Sequence, residues 1–373
     1  MAKKVYIGVD SKAREVKKIY VGVSGIAQKV KKGYIGIGGV ARPFFSSEGL
    51  EYYGQIDGLS NNRTFMGKVS IGDYALFAGG YTGTNTYQSV VDAYNKSLTK
   101  VVAAELQSGR ADISSLILGD YALFAGGTSS SSYEYVDAYD ASLTHTIAPN
   151  LTKLVQSRVG ATVGNFALIA GGKTTNNVEG YDSSLTKLSS VAEMSIARYH
   201  FAGGRIGNHA LFAGGYNSDY LATVDAYDTS LTRTVATDLS IPREYIIEPT
   251  TVGDYILFGG GYAYGTAYNT CSTVDTYDIS LTRMEAPELS AKIFTTGRQN
   301  AVTLHEHAIF YVYSTSPVVN CIDTYDISLT KEKVDGLPRG REGCALATVG
   351  DFVIIANGRY LNNSIVDAYV YMT

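Results

Sequence analysis

Apolar positions in this chain fall in short runs that end abruptly in glycine, and the runs repeat. From residue 50 onward a run such as Tyr74-Ala75-Leu76-Phe77-Ala78 closes on Gly79-Gly80, and after a polar stretch comes Val91-Asp92-Ala93-Tyr94. Short runs flanked by glycine, serine, asparagine and aspartate predict β-strands and not helices. The acids at the second position of the later motif are Asp92, Asp137, Glu179, Asp225, Asp275, Asp323 and Asp367, spaced 45, 42, 46, 50, 48 and 44 residues apart. Each unit divides into four strand-like pieces. In the fifth these are an alternating run after an arginine (246–252), the run into the doublet (255–260), the Val-Asp-x-Tyr piece (274–277) and a piece opening at Ser-Leu-Thr (281–286). A unit of this size cannot bury both faces alone, so neighbours must stack. Four antiparallel strands per unit predict the blades of a β-propeller.

The two ends of the repeat set the blade count. The last unit stops at Val366-Asp367-Ala368-Tyr369, one strand short, while residues 50–60 align with 231–240, the outer piece of an earlier unit. A strand from the start of the repeats that completes the last blade leaves no open edge and gives seven blades. Units six and seven depart from the doublet, with Tyr311-Val312-Tyr313 and Asn357-Gly358. Residues 1–42 follow another rule: Lys3-Lys4-Val5-Tyr6-Ile7-Gly8-Val9 returns at Lys17 and at Lys31, a period of 14 residues. The alternation predicts three small hairpins, too little for a core of their own. The expected layout is an all-β chain: a hairpin arm (1–42) that attaches or oligomerises, as a trimer for example, a linker (43–49) and a seven-bladed propeller (50–373).

Charge and composition sharpen this layout. The arm holds ten Lys/Arg against Asp10 and Glu15, a net of +8, so the whole-chain −4 leaves −12 on the remainder. The arm's charges recur at fixed spacing, which reads as solvated strand and turn positions ahead of a nucleic-acid or membrane surface. Three cysteines without metal-like spacing argue against a disulfide framework or structural zinc. No run reaches membrane-spanning length and no signal-peptide core is present. No cofactor, no nucleic acid and no membrane insertion are expected.

The Gly-Gly after an apolar strand, the Tyr-Asp that follows and the arginine that leads each unit resemble the kelch repeat across residues 50–373. That resemblance implies a propeller and says little of function. The tryptophan usual in kelch outer strands is absent; Leu98, Leu143, Leu185, Leu231, Leu281 and Leu329 are candidates for its packing role. The lysine-rich hairpins, and repeats of the Val-Asp-Ala-Tyr-Asp-x-Ser-Leu-Thr kind, resemble segments of tail proteins from phages and prophages of Gram-positive bacteria. This implies a virion protein whose arm meets other tail proteins.

In a four-stranded blade the connections alternate between the two faces of the disc. First-to-second and third-to-fourth links are short and nearly invariant, whereas second-to-third links range from 5 to 12 residues. Variable loops are where binding surfaces are built. Here they are rich in tyrosine, serine, glycine and asparagine, a vocabulary of adaptable recognition. The candidate ligand-binding residues are Tyr81, Tyr87, Tyr133, Tyr216, Tyr220, Tyr262, Tyr264, Tyr268 and Tyr360, against the plainer reading that tyrosine fills sheet edges. Seven arginines, Arg63, Arg110, Arg158, Arg198, Arg243, Arg298 and Arg341, are expected at one height near the channel mouth on this face. Either they bond carbonyls or acids of a neighbouring blade, or several face inward and capture carboxylate or phosphate.

Enzyme readings find less support. His145, His200, His209, His305 and His307 are scattered, and only His305-Glu306-His307 has strand spacing that points two imidazoles to one face. Asp140, Asp182, Asp228, Asp278 and Asp326 precede turns and are expected to accept local backbone N–H groups. The expectation is a non-enzymatic recognition module on a phage tail, binding a host surface glycan or protein. The alternatives are a propeller enzyme acting on a polysaccharide and an intracellular kelch-type scaffold.

Overall fold

In the computed structural model the described residues are the backbone of 6–9, 12–15, 19–23, 26–30, 32–37 and 40–46, and residues 49–372 apart from 84–85, 154–155, 265–269, 293–300, 316–317 and 358–363. The chain divides into two units, one holding the arm through Tyr53 with residues from Tyr369 onward, the other Gly54–Ala368. The arm contains three antiparallel hairpins: Tyr6–Val9 with Lys12–Glu15, Ile19–Val23 with Ile26–Val30, and Lys32–Ile37 with Val40–Ser46. Residues 43–46, expected as linker, continue the last hairpin, and the register shift between Gly33 and Tyr34 accommodates them.

The repeats form seven antiparallel sheets arranged as a seven-bladed propeller. Six sheets have four strands; the third has three, Val159–Val163, Phe166–Ala170 and Val178–Asp182, with a Tyr181–Lys187 bridge in the place of a fourth. The seventh runs Ala345–Val349, Phe352–Ala356, Val366–Met372 and then Gly49–Ile56, so the early strand completes the last blade. Inner strands touch in a closed circle, Gly67–Ile71 meeting both Ser114–Leu118 and Ala345–Val349.

Two strand boundaries differ from the sequence expectation. The inner strand of blade five is only Thr250–Val252, because Pro249 has no N–H to give the ladder. Outer strands begin after Ser-Leu-Thr, as in Arg283–Ala286, since each leucine of that motif is a left-handed turn residue with φ of 57–63°. From that turn the leucine reaches sideways: Leu98 packs with blade seven's core, Leu185 with blade two's and Leu281 with blade four's. The turns are capped by the acids expected there; Asp140, Asp182, Asp228, Asp278 and Asp326 each accept two backbone N–H bonds of 2.8–2.9 Å.

The apolar cores lie between blades and not within them. One cluster joins Val69, Leu76 and Val91 of blade one to Ala122, Phe124 and Tyr139 of blade two, and the same pattern recurs around the ring. The third-strand tyrosines fasten each seam with a hydrogen bond to the preceding blade's outer end. Tyr94 donates to the Asp57 carbonyl, Tyr139 to Ala104, Tyr227 to Ala192 and Tyr277 to Thr237, at 2.7–2.9 Å. Burial and the adjacent carboxylate push these phenols above their ordinary value, so they remain donors.

Candidate recognition surface

The leading arginines stand inside the blades. Among the described residues Arg63, Arg110, Arg158, Arg198, Arg243 and Arg341 are all buried, and none lines the central channel. Each is bound within its own blade. Arg243 donates Nε to the Gly260 carbonyl (2.9 Å), Nη2 to that of Phe258 (3.1 Å) and Nη1 to Asp275 (2.7 Å). Arg63 repeats the arrangement with Gly79, Phe77 and Asp92, and Arg341 with Asn357, Ile355 and Asp367. Arg110, Arg158 and Arg198 pair likewise with Asp137, Glu179 and Asp225. Arg298 lies outside the described residues. These guanidiniums are committed to the frame, which corrects their expected place at the channel mouth. The acids that anchor them served in the sequence only as landmarks for the repeat.

Neighbouring blades are reached through the same clamp by other atoms. Ser60, Ser195, Ser240 and Ser290, which lie between blades, donate backbone N–H and hydroxyl to Asp92, Asp225, Asp275 and Asp323. The second glycine of the doublet donates across the seam to the next arginine's carbonyl, as Gly80 to Arg110 and Gly215 to Arg243, both at 2.8 Å. Where blade seven has Asn357, its side-chain amide donates to the Arg63 carbonyl (2.6 Å) and closes the ring by another route.

The clamp in blade three has a pH signature. Burial pushes the Glu179 carboxyl up, but hydrogen bonds from Lys187 and from the Thr152 N–H and hydroxyl, with the Arg158 charge, bring it from 4.5 down to about 2. A carboxyl depressed in the folded state adds stability that is complete above its unfolded value near 4.5 and is lost as pH falls through about 2. The Glu179→Gln variant is therefore expected to be less stable near neutrality, yet to lose less between those pH values than the parent. Urea midpoints across that range check this, and parallel curves would remove the assignment.

The variable face carries a second tier of structure. In blades one, two, four and five the residue after the doublet bridges back to the residue after the arginine: Tyr81 to Thr64, Thr128 to Ala111, Tyr216 to Tyr199 and Tyr262 to Glu244. In blade four the loop forms a tight hairpin, Tyr216–Asn217 against Asp219–Tyr220, with Ser218 in the left-handed region. These bridges lift the tyrosines above the ring and bring those of blades four and five together. Tyr199 meets Tyr216 edge-on (5.7 Å between centroids, 68°), Tyr216 meets Tyr220 (5.3 Å, 77°), and Tyr220 crosses the seam to Tyr262 (5.8 Å, 36°). On the axial side Tyr199 meets His200 (4.5 Å), which stacks on Tyr245 at 3.9 Å.

His200 and Tyr245 occupy a special backbone position, two residues after the arginine, with φ of 55° and 50°. Phe65 and Asp112 hold the same position with φ of 56° and 51°. Left-handed backbone costs a non-glycine residue about 1–2 kcal/mol, and such strain gathers at functional surfaces. Here it is braced by axial hydrogen bonds, Asp112 N–H to the Phe65 carbonyl and Tyr245 N–H to that of His200. Glu244 completes the group: nearly buried, it accepts from His200 Nδ1 at 2.8 Å.

The central channel beneath is a separate space. Phe65, Asp112, Phe201, Ile246 and Cys344 line its upper part, and Lys68 and Glu248 form an ion pair between blades one and five. Below them a chamber of about 330 Å³ presents hydroxyls of Ser70, Thr250, Thr303 and Thr348. Among the described residues no group of three or more His, Cys, Asp or Glu is placed to hold a metal. His305 does not share a strand face with His307; it is a left-handed turn residue paired with Asp351 at 3.2 Å. Cys271, Cys321 and Cys344 are buried thiols outside any disulfide, and burial pushes those of Cys321 and Cys344 up to about 11.

Of the nine tyrosines singled out by sequence, Tyr216, Tyr220 and Tyr262 belong to the ring-to-ring assembly. Tyr81 and Tyr87 form a pair of their own on blade one (5.2 Å), and Tyr133 stacks on Tyr135 on blade two. Tyr264 is 81 % exposed, while Tyr268 and Tyr360 lie outside the described residues. Sequence reasoning missed Tyr199, His200, Glu244 and Tyr245. Their signal was present in Arg198-Tyr199-His200 and Arg243-Glu244-Tyr245, where the residues after an otherwise repeated arginine stop repeating.

No family model and no curated protein matches the chain, so the kelch and phage-tail resemblances stand on their own residues. Among solved structures, one titled "Structure of YjhT" is similar, with 11% identity, a TM-score of 0.56, and coverage of 75% of this chain and 99% of that one. Likeness at this identity concerns the propeller fold alone.

Proposed function

We propose that this chain is a non-enzymatic recognition module whose ligand surface is the aromatic saddle over blades four and five. The single observation that carries the reading is the continuous series Tyr245, His200, Tyr199, Tyr216, Tyr220 and Tyr262, six partly exposed rings from two blades on one face. Aromatic rings held by bridged loops offer contact area at small entropic cost, a property of recognition surfaces. The resemblance of the arm to phage-tail segments supports a bacterial envelope glycan or protein as ligand, with residues 1–42 joining the propeller to a virion.

The test is retention of purified full-length chain on cell envelopes of Gram-positive bacteria. Replacing both Tyr220 and Tyr262 with alanine should reduce retention at least about tenfold, the equivalent of about 1.4 kcal/mol, with the melting transition preserved. Undiminished retention by that variant would overturn the surface. One geometry favours a second reading. Glu244 holds His200 by Nδ1, which leaves Nε2 to exchange a proton with a bound hydroxyl. Shortened glycan in the same incubation, abolished in His200→Gln, would establish a polysaccharide-cleaving propeller instead.

A further inference from the structure

Resting on that surface as the ligand site, we infer that it selects a glycan bearing a positively charged ammonium group, seated against Glu244 between the tyrosine walls. The first argument is shape. Flat sugar faces stack on flat platforms, whereas the rings of Tyr199, Tyr216 and Tyr220 meet at 68° and 77°, which makes angled walls and not a platform. Ring faces carry negative potential, and aromatic rings gathered beside a carboxylate suit a cation.

The second argument is charge. Among the described residues Glu244 has one side-chain partner, His200 on Oε2, and its Oε1 accepts no hydrogen bond. Among the described residues no lysine or arginine pairs with Glu244 or with Asp219 at the hairpin tip, although Asp92, Asp137, Glu179, Asp225, Asp275 and Asp367 are paired with arginine and Asp323 is bound by serine. That negative charge reaches the walls: after burial itself, Glu244 is the largest influence holding the Tyr199 and Tyr220 phenols above their ordinary value. An acid left with a free oxygen beneath aromatic walls is the complement of an ammonium ion. A neutral sugar would leave the oxygen's charge unanswered in a partly dry site.

The probes are the glucosamine trisaccharide and its N-acetylated counterpart, which share a backbone and differ in charge, titrated calorimetrically into the full-length chain. The charged trisaccharide should bind about tenfold or more tightly than the acetylated one, and Glu244→Gln should erase that preference. Tyr220→Phe should keep it and Tyr220→Ala should lose it, which separates a lost wall from a lost fold. Equal or tighter binding of the acetylated sugar overturns the inference. So does tighter binding of lysine, offered as its N-acetyl amide, since the source would then be a protein. If the preference is absent while envelope retention still depends on Tyr220 and Tyr262, only the ammonium fails. Loss of both dependences removes the surface itself.

Discussion

Asp275→Ala should destabilise the propeller by about 3–5 kcal/mol, the largest single loss expected from a side chain in this molecule. Asp275 is fully buried and accepts from Arg243 (2.7 Å), Arg283 (2.9 Å), the Ser240 N–H (3.1 Å) and the Ser240 hydroxyl (3.0 Å). Truncation strands the Arg243 guanidinium in the interior with its positive charge unmatched, although Nε and Nη2 keep their carbonyl partners. The cost is therefore chiefly that of the abandoned charge and not the net worth of the pair. A double variant, Arg243→Met with Asp275→Leu, should recover much of the loss, because packed apolar groups of similar volume replace buried ion pairs well. Denaturant midpoints at constant slope measure both. A loss below about 1 kcal/mol for Asp275→Ala would place the ring's stability elsewhere.

Gly214→Ala should cost about 3 kcal/mol, from two additive sources. The residue has a φ of +68°, where an alanine loses about 1–2 kcal/mol. A Cβ there would also meet Ile246 Cδ1 at 2.6 Å and the Arg243 carbonyl oxygen at 2.7 Å. Ile246 can turn aside; the carbonyl cannot, because it accepts the Gly215 N–H that ties blade four to blade five. Overpacking at such a fixed contact adds about 1–3 kcal/mol. Gly83 is the control, since it also has positive φ (+82°) but nothing within 4 Å of its would-be Cβ. Thermal melting of Gly83→Ala should show the backbone cost alone. Equal effects at the two positions would mean that close approach at the seam is unimportant.

The strand order, the blade count and the closing strand were legible because they follow from periodicity, which a linear text preserves. The arginines were legible as a repeat but not in their location. A residue just before a strand can turn toward the channel or into the blade, and only the carbonyls of Gly79 and Phe77, with Asp92, decide between them. The saddle was half legible. Loop composition marked Tyr216, Tyr220 and Tyr262, but the contact of Tyr220 with Tyr262 joins two repeats. His200 and Tyr245 stack across the same seam, from positions outside the variable loops that sequence reading searched. Pairings between units are invisible to an analysis that aligns units with one another.

The closing strand also orders events in time. Gly49–Ile56 is synthesised before every other blade strand, and its partner Val366–Met372 after all of them. During translation it must wait unpaired while the other blades assemble, and the loop it finally closes is the longest in the ring, an entropic cost that grows only slowly with length. Non-local pairing of this kind slows folding. At high concentration the waiting strand can find the seventh blade of another copy as easily as its own. The seam that makes the disc edgeless in one molecule is thus the point at which two molecules can exchange a strand and become interlocked.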